Sequence, residues 1–324
     1  MEQTKPSSVP DNRKITAKKR GNAAGFWFFK TFMRLFGLRG AYGLLYVVCL
    51  YYLIFDTSAV SASSAYVERR FPGCGFFTKR LHIYRLFVNQ GRQLIDLNAI
   101  LSKEKTFDIK LQGYDHFLSL LQSHHPGPLP SGGQEANPRQ GIILLTAHAG
   151  NWQLAMTSLG KMERDVYLLM RPEDNQALKN SLPIGEEQER IKFISPEQEL
   201  GGILKIINVL KEGHIVSIMG DRSYGFKALE VSFLKERAWF PYGAFSIAAA
   251  VECPVVVLLS MKTKDKSYVI DVSNVLYPRY ESGQNKTRQL QKWVQDYAAI
   301  LDAYVDRYPY QCFLFHNVWQ KQKG

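Results

Sequence analysis

From residue 141 onward, short apolar runs alternate with stretches whose apolar residues recur every three or four positions. The runs GIILLTA, DVYLLM, HIVSIMGD, CPVVVLLSMK and YVIDVSNVLY are typical of buried strands, and the stretches between them of amphipathic helices. Strands that alternate with helices indicate a mostly parallel or mixed sheet flanked by helices. The pattern therefore predicts an α/β core over residues 141–319.

Two predicted helical regions bear on the organisation of this core. Residues 57–122 carry a helical spacing, as in RLHIYRLFVNQGRQLIDLNAIL, and are predicted to form a helical segment that packs on the core. A second helix is predicted within ELGGILKIINVLKEG, with an apolar face of Leu200, Ile203, Leu204, Ile207 and Leu210. Between them, SHHPGPLPSGGQEANPRQG has the composition of a loop, so its His124 and His125 are expected to be solvated.

The amino-terminal pattern differs from both, because a basic tail precedes an uncharged apolar run. Residues 1–39 hold nine Lys or Arg against two acidic residues, out of a net charge of +12 for the chain, and residues 40–55 hold no charge. This predicts a disordered basic tail over residues 1–22 and an anchor over residues 23–56 on an anionic membrane surface. The alternatives are a buried helix behind a solvated tail, or a secretory signal that is cleaved after SAVSASSA.

The length of the apolar run separates these alternatives only in part. Its sixteen residues form about 24 Å of helix, less than the roughly 30 Å of a hydrocarbon core. The preceding FWFFKTFMRLFGLR has an amphipathic spacing suited to the headgroup region. We favour an uncleaved anchor, because the basic region is longer than that of a usual signal and Asp56 interrupts its exit.

Composition excludes several other classes of protein. A hydrophobic fraction of 46% argues against global disorder. The four cysteines are far apart and show no metal-ligand spacing, so neither a metal site nor a disulfide framework is expected. No basic and aromatic pattern typical of nucleic-acid binding is present.

The candidate chemistry lies in LLTAHAGNWQLAM, where a predicted strand ends at His148 and a helix follows. Gly150 permits a sharp turn, and Asn151 is a suitable helix N-cap. The amino end of the helix disfavours an imidazolium, so His148 would remain neutral and able to act as a base, while its N–H groups could stabilise an oxyanion. The alternative is a turn histidine that bonds the backbone.

HAGNWQLA resembles the His-x-Gly-Asn-Trp-Glu motif of the bacterial lipid A late acyltransferases, the lauroyl and myristoyl transferases of the lysophospholipid and glycerol-phosphate acyltransferase superfamily. Four further stretches are similar to the same family: YRLFVNQGRQLIDL, LLMRPEDN, FLKERAWFPYGAFSIAAAVECPVV and YPYQCFLFHNVW. The resemblance covers roughly residues 26–319. It implies the acyltransferase fold and O- or N-acyl transfer from acyl-carrier protein or acyl-coenzyme A to a membrane glycolipid or other lipid.

In that family, a histidine takes a proton from the acceptor, and an acidic residue five positions later orients and stabilises its ring. Here the fifth residue is Gln153, which can accept a hydrogen bond but offers no charge. Three interpretations remain open. In the first, Gln153 suffices for an easier acceptor; in the second, Asp221 of MGDRSYG supplies the charge; in the third, the chain binds lipid without turnover.

The resemblance and the residue chemistry together define one hypothesis. Catalytic residues are predicted to be His148, Gln153 and Asp221, with substrate-binding residues Asn151, Arg171, Arg222, Pro241 and Gly243. The two arginines suit phosphate or an anionic donor group, with surface ion pairs as the alternative. No metal or cofactor is expected, since a thioester is already activated. Because acyl thioesters are made in the cytosol, the expected location is the cytoplasmic face of a bacterial inner membrane.

Overall fold

A computed structural model describes residues 23–101, 107–123, 140–159, 164–170, 190–197, 202–223 and 227–320. The predicted tail of residues 1–22, His124, His125 and Arg171 lie outside these ranges. The chain divides into two units, residues 1–43 and 44–324, and each is described by itself.

Helix α1, Ala23–Phe55, is interrupted at Gly37, whose φ of 66° and ψ of −171° are not helical. Its 22-residue segment Arg34–Phe55 is long and apolar enough to cross a membrane, with a mean hydropathy of 1.6 over an 18-residue window. Asp56 then ends α1 and caps the next helix, because its carboxylate accepts a hydrogen bond from the backbone N–H of Ala59 at 2.9 Å.

In the described part of the region predicted as helical, residues 57–101 and 107–122, there are three helices and one strand. The elements are α2 (Thr57–Arg70), α3 (Phe76–Leu101), β1 (Asp108–Gln112) and α4 (Tyr114–Gln122). Strand β1 corrects the prediction of a purely helical segment, since it pairs in parallel with a distant strand of the core sheet. Its DIKLQ sequence is too short for alternation to stand out from helical spacing.

The core is a mixed, mostly parallel sheet flanked by helices, as predicted. Its remaining strands are β2 (Ile142–Thr146), β3 (Val166–Leu169), β4 (Ile191–Ile194), β5 (Ile215–Met219), β8 (Val255–Lys264) and β9 (Ser267–Leu276). The seven strands follow the order β1-β9-β8-β2-β5-β3-β4, and only the β8–β9 pair is antiparallel. Strands β2 and β5 lie side by side in the middle, which places their carboxyl ends together.

The other elements flank this sheet. They are α5 (Trp152–Leu159), α6 (Ile203–Lys211), the hairpin β6 (Ala228–Phe233) and β7 (Glu236–Pro241), α7 (Gly243–Val251) and α8 (Lys286–Arg307). The predicted apolar face of α6 is only partly right. Ile206, Val209 and Leu210 are buried, whereas Ile203 and Leu204 are exposed, so the helix is rotated from the predicted face.

Candidate active site

The carboxyl ends of β2 and β5 bring His148 and Asp221 together. The two strands pair in parallel with Thr146 opposite Met219, and the backbone N–H of Gly220 donates to the Thr146 carbonyl at 2.8 Å. His148 and Asp221 each lie two residues after the last residue of their strand. Two residues that lie 73 positions apart therefore become neighbours because their strands share one register.

Asp221 holds the His148 residue at two points. Its Oδ1 and Oδ2 atoms lie 2.9 and 3.1 Å from the ring Nδ1. The backbone N–H of His148 also donates to Oδ2, at 2.7 Å. The Asp221 side chain is 1% exposed and that of His148 is 22% exposed, so the carboxylate is shielded while the ring reaches the surface. This arrangement favours the tautomer with the proton on Nδ1, which leaves Nε2 as the basic atom.

The charge state of Asp221 follows from competing effects. Burial alone would raise the pKa of this carboxyl, but the His148 ring, the neighbouring Arg222 and the bond from the His148 backbone together hold the pKa below its ordinary value. Asp221 is therefore an ionised acceptor at neutral pH. Arg222 is itself fixed, since its guanidinium donates to the carbonyl of Phe313 at 2.8 Å.

The turn after His148 is shaped by the close approach of β8. Gly150 has φ of 61°, and a Cβ there would overlap the carbonyl oxygen of Ser260. That same oxygen accepts the backbone N–H of Asn151 at 3.0 Å. The Asn151 side chain caps α5 by accepting from the N–H of Leu154 at 3.2 Å, as its residue type predicted. Only glycine fits at position 150, both for its backbone angles and for this contact.

The carboxyl-terminal segment closes over the same turn. Cys312 forms an antiparallel bridge with Ala149. On either side of this bridge, the N–H of Gly150 donates to the Gln311 carbonyl and the N–H of Phe313 donates to the His148 carbonyl, each at 2.7 Å. The backbone of His148 is thus bonded by Asp221 on one side and by the closing segment on the other.

A buried amide network connects this turn to α3 and β8. The Gln311 side chain accepts from the backbone N–H of Lys262 and donates to its carbonyl, both at 2.8 Å. Gln93 donates to the Gln311 side chain at 3.0 Å, and the Gln93 carbonyl accepts from the Asn151 amide at 2.9 Å. One turn further along α3, the buried Asp96 carboxylate pairs with Lys262. The turn after His148 is therefore bonded to three separate parts of the chain: α3, β8 and the closing segment.

The remaining predicted residues fall in different places. Gln153 lies in the first turn of α5, and within the described residues its side chain makes no hydrogen bond with His148. Asn151 is 2% exposed and its side chain is used in the cap and the bond to Gln93, so it acts as a structural anchor rather than a substrate contact. Pro241 ends β7 and Gly243 begins α7, and no bond in the described ranges joins either to His148 and Asp221, which we call the dyad.

Sequence reasoning did not single out His316, which lies beside the dyad. Burial and the charge of Arg222 lower the pKa of this histidine, while Asp221 opposes the change. Its only sequence signal was membership of the closing stretch. Among the described residues, no group of three or more His, Cys, Asp or Glu side chains is arranged to hold a metal ion.

A histidine whose Nδ1 is held by a buried carboxylate, at the carboxyl edge of a mostly parallel sheet, is an arrangement that α/β enzymes use to remove a proton from a nucleophile. Residues 133–321, more than half of the chain, match the family described as bacterial lipid A biosynthesis acyltransferase, so the chain belongs to that family. No curated protein matches it. The family assignment makes the protein an acyltransferase that acts on lipid.

Proposed function

We propose that the protein transfers a fatty acyl chain from an acyl thioester to a hydroxyl or amino group of a membrane lipid of the lipid A type, with His148 as the general base. The observation that carries this proposal is the pair of contacts from Asp221 to Nδ1 of His148, at 2.9 and 3.1 Å. These contacts orient Nε2 for proton transfer and supply the negative charge that an imidazolium requires.

The reaction can be written for a hydroxyl acceptor. Nε2 of His148 removes the hydroxyl proton as the oxygen attacks the thioester carbonyl carbon. The tetrahedral oxyanion then collapses with cleavage of the carbon–sulfur bond, and the leaving thiolate takes the proton from the imidazolium. The N–H groups of Trp152 and Gln153 begin α5, have no acceptor within the helix and lie just after the Gly150 turn, so they are suited to the oxyanion; that of Leu154 is taken by the Asn151 cap.

We assign anion binding to Arg171 and Arg222. Arg222 adjoins Asp221 in sequence and already bonds the closing segment at Phe313, which places a cation at the edge of the dyad. Both acyl-carrier protein and acyl-coenzyme A present phosphate groups that suit such a cation, and so does a phosphorylated glycolipid. The proposed location is the cytoplasmic face of a bacterial inner membrane, where thioester donors and lipid acceptors meet.

The decisive variant is His148→Ala. Acyl transfer to a lipid A precursor in detergent micelles should fall by at least about 10²-fold, the low end for loss of a general base. The matched control is His214→Ala, which removes a histidine that is separate from the dyad and precedes β5. Wild-type rates in His148→Ala would refute the mechanism. Absence of transfer by the wild type with both thioesters, together with lipid binding that survives His148→Ala, would instead identify a non-catalytic lipid-binding member of the family.

A further inference from the structure

The second half of α1 is packed along α3, and the two helices run in opposite directions. Near the start of this contact, the Leu45 side chain leaves no room for a Cβ at Gly91. At its far end, the guanidinium of Arg80 donates to the carbonyl of Leu53 at 2.9 Å. Between them, Tyr84 donates to the Tyr46 carbonyl at 3.1 Å. Over this length, one side of α1 is therefore covered by protein.

Two arginines of α3, Arg80 and Arg92, bond residues of α1. In addition to Arg80, the guanidinium of Arg92 donates to the Tyr46 hydroxyl at 2.6 Å. Arg85 lies on the same helix and donates to the hydroxyl of Tyr310 at 3.1 Å. Arginine side chains are strongly disfavoured in a hydrocarbon core. Residues 45–53 therefore could not cross a bilayer without drawing these arginines into it.

The first half of α1 is also unsuited to crossing. The segment before Leu45 contains Lys30, Arg34 and Arg39, and about 20 consecutive apolar residues are needed to span a membrane. Length and overall hydropathy allow Arg34–Phe55 to span a membrane. The contact with α3 and the charges of Arg34 and Arg39 disfavour a spanning position.

The uncovered side of α1 is continuous with exposed aromatic residues of α3. Phe76 and Phe77 open α3 and are 66% and 85% exposed. Their rings contact one another edge to face, with centroids 5.5 Å apart. We call the combined apolar surface the membrane platform; its residues are Val47, Leu50, Tyr51, Ile54, Phe55, Phe76, Phe77 and Leu81, all exposed. The first four follow the spacing of a single helical face.

We infer that the protein is monotopic, and that the membrane platform rests in one leaflet of an anionic bilayer with Phe76 and Phe77 as a second insertion point beside α1. Charge supports this occupant. Arg80 lies over the Phe76 ring, 5.3 Å from its centroid, and residues 1–39, which precede the platform in the chain, hold nine Lys or Arg against two acidic residues. Lys79, two positions after Phe77, is paired with Glu68. The inference rests on the proposed membrane location but not on the proposed chemistry.

The insertion of Phe77 can be measured with an environment-sensitive fluorophore. Full-length Phe77→Cys in a Cys74→Ser background offers one accessible thiol, since Cys49, Cys253 and Cys312 are buried. Labelled with a nitrobenzoxadiazole group, this position should shift to shorter emission wavelength with vesicles of phosphatidylcholine and phosphatidylglycerol. Nitroxides near the headgroups should quench it more than nitroxides at the bilayer centre. Tyr277→Cys in the same background marks an exposed position outside the platform and should show neither effect.

Topology gives an independent measurement. Peptide tags at the two ends of the full chain should both be digested by protease from the same side of sealed membrane vesicles. Tags on opposite sides would overturn the monotopic inference. Emission at position 77 that remains water-like while the protein sediments with vesicles would overturn the second insertion point. If the label is shielded without vesicles and the protein has twice its molecular mass in solution, the platform binds a second copy of the chain. That result would also overturn the membrane inference.

Loss of both rings should weaken membrane binding without affecting chemistry. Phe76→Ser with Phe77→Ser should reduce vesicle partitioning by about tenfold or more, the factor expected for one large apolar side chain removed from water. Tyr277→Ser should change it little. Acyl transfer in detergent micelles should remain at the wild-type rate in both variants, so a failure of this inference can be distinguished from a failure of the proposed reaction. Equal loss of partitioning in the two variants would contradict the assigned platform.

Discussion

The substitution Asp221→Asn tests the dyad most directly, because it changes charge and tautomer with little change in volume. The carboxylate accepts two hydrogen bonds from His148, one from the backbone N–H and one from the ring Nδ1. An amide has one oxygen and one NH₂ group, so it can satisfy only one of these donors. If its oxygen remains with the backbone, its NH₂ group faces Nδ1 and forces the ring proton onto Nε2.

The expected loss can be calculated from the geometry. With the charge centres about 4 Å apart and an effective dielectric constant of about 20, Coulomb's law gives an attraction of about 4 kcal/mol between carboxylate and imidazolium. That energy corresponds to about 10³-fold in rate. The unfavourable tautomer adds to it, and the same substitution in a serine protease costs roughly 10⁴-fold. We therefore expect kcat to fall by about 10³- to 10⁴-fold.

The assay is acyl transfer in detergent micelles, with kcat and KM measured separately and thermal unfolding followed on the same preparations. KM should change little, because the buried carboxylate does not reach the substrate. Gln153→Ala is the matched control, since Gln153 has no bond to His148 among the described residues, and its rate should stay within about twofold of the wild type. A normal kcat in Asp221→Asn with a large loss in Gln153→Ala would refute the assignment of the charge to Asp221.

Three further substitutions test the structure around the dyad. Gly150→Ala should cost several kcal/mol of unfolding free energy and abolish activity, whereas Gly283→Ala, which has a similar φ but open space, should cost about 1–2 kcal/mol in thermal or chemical denaturation. Asp96→Asn should destabilise the protein by about 3–5 kcal/mol because it removes the anion that pairs with the buried Lys262. Asp96→Leu combined with Lys262→Met should recover much of that loss, and an equal loss of stability in the single and the double variant would show that the ion pair is not what the single variant breaks. Burial and a neighbouring guanidinium lower the pKa of His316 below 6.5, so the unfolded chain binds more protons than the folded one and stability should fall as pH drops below 6.5. His316→Gln should make the melting temperature depend less steeply on pH in this range, and an unchanged slope would contradict the shift.

The strands that the sequence predicted are all marked by apolar residues. Most are runs buried on both faces, as Ile142–Thr146 and Ile215–Met219 are, whereas β9 alternates buried and partly exposed positions. The hairpin of β6 and β7 was missed for a physical reason. Its turn residues, Leu234 and Lys235, have positive φ angles of 52° and 62°, and neither is the glycine or asparagine that usually marks such a turn.

The parts of the candidate site that lie at strand ends could be predicted from the sequence. The side-chain contacts between residues far apart in the sequence could not. His148 and Asp221 both follow apolar runs, so the rule that active groups collect at carboxyl ends was sufficient to place both at one edge. The contact between Gln93 and Gln311 joins residues 218 positions apart, and neither residue has a local pattern. The pairing of Asp96 with Lys262 is of the same kind, because helix and strand meet only through the complete fold.

The position of the charge explains how the site can depart from its family at Gln153. Gln153 lies in the first turn of α5, after the Gly150 turn, and within the described residues its side chain makes no hydrogen bond with His148. Asp221 instead extends from a central strand, is 1% exposed, and bonds both the backbone and the ring of His148. A carboxylate fixed at both oxygens and shielded from water stabilises an imidazolium more strongly than one at the edge of the site. With Asp221 in place, a second carboxylate at position 153 would add repulsion between like charges, and a neutral glutamine avoids that repulsion.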